Sequence, residues 1–162
     1  VALCAENICK LTHYDPRCVG SCVIVSELIH ALVYGRQIPS VPAILDMAKR
    51  FDPQISEYVM MAWQEEDVNR LMNDDCMGYT LLTLSVALWA FWHAESFEDG
   101  LLKVVNAGGD ADTNAATACA ILGAKFGYSA IPEEYVEGLI YREQLDDVIE
   151  KLSDVCLSTI GH

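Results

Sequence analysis

Val105-Asn106-Ala107-Gly108-Gly109-Asp110-Ala111-Asp112-Thr113-Asn114 brings two glycines and two acids together immediately ahead of an alanine-rich run, Ala115 to Gly127. The run has helix-forming composition and a glycine to end it, so the acids fall at a helix N-terminus. On a regular helix, residues two apart point about 200° apart and residues three apart about 60°. Asp110 therefore has to stand at the non-helical cap. From there its carboxylate either accepts the free N–H groups of the first turn or swings beside Asp112 and Thr113 onto a cation. Three hard oxygens suit Mg²⁺, Ca²⁺ or Mn²⁺, and no neighbouring His or Cys argues for zinc. Residue types alone leave an ordinary cap and a metal site equally open.

Working outward, helix punctuation recurs along the chain and no run of period-two alternation appears, so the fold class is all-α. A first helix lies within Val1 to Leu11. Asp15-Pro16 caps a second that ends near Gly35, and Ser40 caps a short third, Val41 to Arg50. Asp52-Pro53 opens Gln54 to Met72, with Glu65-Glu66-Asp67 as a solvated face. Asn73 to Gly78 reads as a loop, and its Asp74 and Asp75 as solvent-facing acids. Tyr79 to Ala94 is apolar nearly all round and belongs at the centre. Ser96-Phe97-Glu98-Asp99 resembles a capping box ahead of Gly100 to Asn106. Ile131-Pro132-Glu133-Glu134 starts another helix, and Arg142 to Ile160 closes the chain with Leu145, Val148, Ile149, Leu152, Val155, Cys156 and Leu157 as its inner stripe. No repeat or linker divides residues 1–162, which predicts a single domain.

The 162 residues are 52% hydrophobic and 21% charged, a globular composition. Ten Lys and Arg against 24 Asp and Glu give a formal charge of -14, and no basic cluster interrupts it, which argues against nucleic-acid and membrane-surface partners. Seven cysteines, several among apolar residues, fit free thiols in a reducing cytoplasm. Cys18 and Cys22 stand one helical turn apart and read as packing residues. His13, between Thr12 and Tyr14 before Asp15-Pro16, is the histidine best placed to meet a substrate, with a local hydrogen bond as the competing reading. His30 and His93 fall within apolar helices and read as core or boundary residues.

Gly108-Gly109-Asp110-Ala111-Asp112-Thr113-Asn114-Ala115-Ala116, followed by Gly123 to Pro132, resembles the C-terminal signature of the ADP-ribosylglycohydrolase family of dinitrogenase reductase-activating type. Gly78-Tyr79, Ala87 to Phe91, Ser96 to Asp99 and Thr12-His13-Tyr14-Asp15-Pro16 fall in the family's order. The resemblance implies an orthogonal multi-helix domain with a two-ion Mg²⁺ or Mn²⁺ centre. It also implies hydrolysis of the glycosidic bond joining ADP-ribose to a protein side chain or a small acceptor. On it, Asp110, Asp112 and Thr113 are metal ligands and Asp112 is the residue assigned to catalysis. His13, Tyr79, Gly108 and Gly109 are assigned to substrate. The family's remaining ligands belong to an N-terminal Thr-Asp-Asp-Thr motif that this sequence does not contain. The resemblance therefore implies a partial domain, the C-terminal half, inactive alone and completed by a complementary N-terminal chain or a homo-oligomer. A non-catalytic, crystallin-like structural relative is the alternative.

Overall fold

The computed structural model describes residues 1–72 and 77–160, with side chains described as far as Cys156. Asp74 and Asp75 lie outside the described residues. Among the described residues every regular element is helical. Two compact units divide the chain, Val1–Ala130 and Ile131–His162.

In the first unit, α1 (Ala2–Cys9), α2 (Pro16–Val33), α3 (Val41–Lys49) and α4 (Pro53–Gln64) precede α5 (Thr80–His93), α6 (Phe97–Asn106) and α7 (Ala111–Phe126). The starts of α2, α3 and α4 follow the punctuation read from sequence. Asp15 accepts the Arg17 amide at 2.9 Å, Ser40 the Ala43 amide at 3.5 Å and Asp52 the Gln54 amide at 2.8 Å, each ahead of a proline in the first turn. Ser96 likewise accepts from Asp99 at 3.0 Å, and Asp99 reaches back to the Glu95 amide at 3.1 Å. That exchange starts α6 at Phe97, three residues earlier than Gly100.

α5 is the axis of the unit. Leu81, Leu84, Val86, Leu88 and Trp89 are all buried, because its neighbours α2, α4, α6 and α7 surround it and leave no solvated stripe. α2 has the length and apolarity of a membrane span, yet Val19, Val23, Ile24 and Leu28 are buried where it packs on α1, α5 and α7. Close packing depends on Gly20, where a Cβ would stand 2.4 Å from Ile55 Cδ1 and 2.9 Å from Phe51 Cβ.

One helix expected from sequence is shorter. α4 ends at Gln64, and Val68–Leu71 forms a separate 3₁₀ turn. Glu65-Glu66-Asp67 is therefore the break, not a helix face. Three acids at a helix C-terminus oppose the helix dipole. The Glu65 carbonyl leaves the helix to accept from Trp89 Nε1 at 3.0 Å, and Asp67 caps the following turn through the Asn69 amide at 3.0 Å.

In the second unit, α8 (Glu133–Glu137) precedes α9 (Arg142–Ile160). Of the stripe expected to face inward, Leu145, Val148, Ile149, Leu152 and Val155 are exposed and Cys156 is half-buried, while the Leu157 side chain lies outside the described ones. Its 3.6-residue spacing identified a helix correctly but carried no information about what covers it.

Candidate functional site

The starts of α2, α5 and α7 converge on one cleft of about 560 Å³, which takes His13 from the loop before α2, Tyr79 from the cap of α5 and Thr113 from the first turn of α7. These residues are scattered along the sequence and meet only because α2 and α7 both pack on α5. Three helix N-termini bring partial positive charge to the cleft, an arrangement that favours anionic or oxygen-rich ligands.

The glycine-acid stretch takes the conformation its residues require. Gly108 and Gly109 have φ of +79° and +63°, which side-chain-bearing residues adopt at a cost. Asp110 stands at the N-cap, yet its side chain makes no capping bond. Its Oδ2 is turned toward Gly78, 3.9 Å from where a Cβ on that residue would lie. Asp112 accepts the Thr113 amide at 3.0 Å. That bond, followed by contact with the Asp110 side chain, holds the Asp112 carboxyl below the usual range. Two carboxylates thus stand together at a helix start, one of them released from capping.

Chemically, Asp110, Asp112 and the Thr113 hydroxyl fit Mg²⁺ or Mn²⁺ as a partial, all-oxygen shell. No group of three His, Cys, Asp or Glu residues is arranged around a common point among the described residues. Thr113 lines the cleft, whereas Asp110 and Asp112 are not part of its lining.

His13 combines both readings of its sequence context. Nδ1 pairs with Thr12 Oγ1 at 2.9 Å, and the ring lines the cleft. Tyr79 turns its ring edge-on to Tyr58, centroids 5.8 Å apart. Gly108 and Gly109 shape the approach to α7 and do not line the cleft. His30 rests against Tyr34, and His93 pairs with the Ala62 carbonyl at 3.1 Å while stacking on Trp89, so both are boundary residues.

Two features were missed in sequence. Arg17 joins the cleft and bonds Tyr79 Oη at 3.3 Å, although Asp15-Pro16-Arg17 showed only a helix start. Its isolation as the lone cation between Lys10 and Arg36 was the available signal. Cys9, Cys18 and Cys22 also line the cleft. Cys22 is exposed, not packed as a small hydrophobe, and partial burial of its thiol followed by the nearby Cys9 pushes it up to about 11.

The family model described as ADP-ribosylglycohydrolase matches residues 1–160. The chain belongs to the ADP-ribosylglycohydrolase family. The resemblance seen around Gly108 to Thr113 and the all-α class are both borne out. The chain is 28% identical over 148 residues to ADP-ribosylarginine hydrolase Tri1 of Serratia proteamaculans (strain 568), covering 87% of this chain and 37% of that protein. It is 24% identical over 152 residues to ADP-ribosyl-[dinitrogen reductase] glycohydrolase of Rhodospirillum rubrum, covering 94% of this chain and 47% of that protein. A solved structure described as an ADP-ribosylglycohydrolase-related protein complex superposes with a TM-score of 0.73 at 27% identity, covering 90% of this chain and 50% of its own. The chain thus spans half or less of the length of these relatives.

Proposed function

We propose that this chain supplies one side of the active site of a hydrolase that cleaves the glycosidic bond between ADP-ribose and a protein side chain. The reading is carried by Thr113, which joins the glycine-acid start of α7 to the cleft shared by His13 and Tyr79. Asp110, Asp112 and Thr113 hold Mg²⁺ or Mn²⁺, with further ligands required to complete a six-coordinate shell. Once bound, the metal supplies Lewis acidity and orients water and sugar oxygens.

The chain's own residues divide the remaining work. Tyr79 offers an aromatic plate to the nucleotide, and the partial positive charge of the helix starts meets the substrate's anionic oxygens. His13, held by Thr12, borders the reacting sugar. Gly108 and Gly109 supply the left-handed backbone that brings Asp110 and Asp112 to the start of α7. Arginine-linked ADP-ribose is the first substrate to test, since that linkage appears in the name of the Serratia proteamaculans relative.

The test is release of free ADP-ribose from mono-ADP-ribosylated arginine by the full-length protein with Mg²⁺, compared with its Asp112→Ala variant. The variant is expected to lose about a hundredfold or more, since losing even a supporting partner of a metal ligand costs 10–100-fold. Equal rates in the two proteins would sink the assignment. The alternative reading is a non-catalytic role in the same fold. That role predicts ADP-ribose binding without turnover on arginine-linked, serine-linked or free conjugates.

A further inference from the structure

The cleft contains a residue whose geometry is fully specified and which the reading above leaves unused. Arg17, the second residue of α2, faces Asp15 in a two-point fork, Nε to Oδ1 at 2.9 Å and Nη2 to Oδ2 at 2.6 Å. Asp15 is itself fixed, because Oδ1 also accepts the Arg17 amide and caps α2. The guanidinium is therefore held by the helix start and not by a freely rotating side chain. Its remaining nitrogen, Nη1, donates to Tyr79 Oη at 3.3 Å and to Gln54 Oε1 at 3.4 Å. Its central carbon lies 5.8 Å from the Tyr79 ring centroid. With Tyr58 edge-on to the same ring, Tyr79 is braced at its hydroxyl and against its ring.

We propose that Arg17 is a positioning residue that sets the Tyr79 ring for the nucleotide part of the substrate; this rests on the function proposed above. An arginine in a cleft suggests a direct phosphate contact, but the geometry argues otherwise. Asp15 neutralises the guanidinium and occupies its Nε–Nη2 edge. The one nitrogen left over is turned to Tyr79 and Gln54. Arg17 acts through the tyrosine, and it links the start of α2 to the start of α5 across 62 positions of sequence.

The experiment is a double-mutant cycle on the full-length protein, reading the dissociation constant for ADP-ribose by calorimetry and KM and kcat on the arginine-linked substrate. Arg17→Ala is expected to raise both the dissociation constant and KM about tenfold, the scale of a lost charge-assisted hydrogen bond, with kcat within about twofold. Arg17→Lys is expected not to restore affinity, because an ammonium cannot engage both Asp15 oxygens and reach Tyr79. In a Tyr79→Ala background, Arg17→Ala should add less than about twofold. Multiplying effects would show independent action and overturn the proposal, as would an Arg17→Ala variant with unchanged affinity. Should Arg17→Ala unfold, Arg17→Gln keeps the stem and takes its place in the cycle. Tyr79→Ala with unchanged ADP-ribose affinity would instead overturn the assignment of Tyr79 to substrate, and the proposal with it. Weakened binding in Tyr79→Ala but not in Arg17→Ala would overturn the proposal alone.

Discussion

Thr83 Oγ1 donates to Asn114 Oδ1 at 2.9 Å, joining the first turn of α5 to the first turn of α7. Asn114 is fully buried, and its amide completes the turn by donating to the Asp110 carbonyl at 3.0 Å. The bond thus fixes the helix start that carries Asp110, Asp112 and Thr113. Asn114→Ala leaves the Thr83 hydroxyl unpaired and opens a cavity, so a loss of about 1–3 kcal/mol is expected in urea unfolding. Thr83→Ser retains the donor and should lose less than half of that. Equal losses in the two variants would show that packing, not the hydrogen bond, holds the helix start.

Two glycines in helices of the first unit should respond oppositely to alanine. At Gly100 a Cβ would lie 2.6 Å from Leu122 Cδ1 and 2.9 Å from Ala94 Cβ, whereas at Gly123 nothing stands within 4 Å. Gly100→Ala is expected to destabilise by about 1–3 kcal/mol through overpacking between α6 and α7. Gly123→Ala should stabilise by up to about 1 kcal/mol through helix propensity alone. Denaturant midpoints check both, and shifts of the same sign would contradict the packing described.

Lys125 closes the C-terminal end of α5. Its Nζ donates to the Phe91 carbonyl at 2.7 Å and the Ala94 carbonyl at 3.2 Å, and it lies 4.6 Å from the Phe126 ring centroid. Burial holds its pKa below the ordinary lysine value. Lys125→Met keeps the apolar stem and removes the donors. A loss of about 1–2 kcal/mol is expected, less than the full range for charged hydrogen bonds because the side chain is only half-buried. An unchanged melting temperature would count against a capping role.

The Asp15 carboxyl is lowered from 3.8 to about 2, chiefly by the Arg17 side chain and then by the Arg17 amide. Its folded-state value lies below the ordinary one, so the fold favours the ionised form. That contribution is complete above the ordinary value and disappears as pH falls through about 2. A carboxyl-carbon NMR titration should give a midpoint near 2 for Asp15, moving toward the ordinary value in Arg17→Ala. A midpoint near 3.8 in the unmodified protein would show that the fork does not persist in solution.

Sequence reading succeeded where the determining signal is local. Asp15, Ser40, Asp52 and Ser96 bond amides two or three residues away, so their helix starts follow from neighbouring residues. It failed at Glu65, whose carbonyl is drawn out of the helix by Trp89, 24 residues later. It failed again on the apolar stripe of α9, since spacing encodes a helix face but not its cover.

The sequence by itself determined the all-α class, most of the helix starts, the family and the place of Asp110 at the cap of α7, all of which depend on short-range sterics, capping and residue order. Only the tertiary structure decided that Thr113 shares a cleft with His13 and Tyr79, that Thr83 meets Asn114, and that Arg17 braces Tyr79. Those relationships span 31 to 62 residues in the hydrogen-bonded cases, and they exist because α2 and α7 pack against α5. Packing of that kind is set by the joint fit of many side chains, which no local stretch contains.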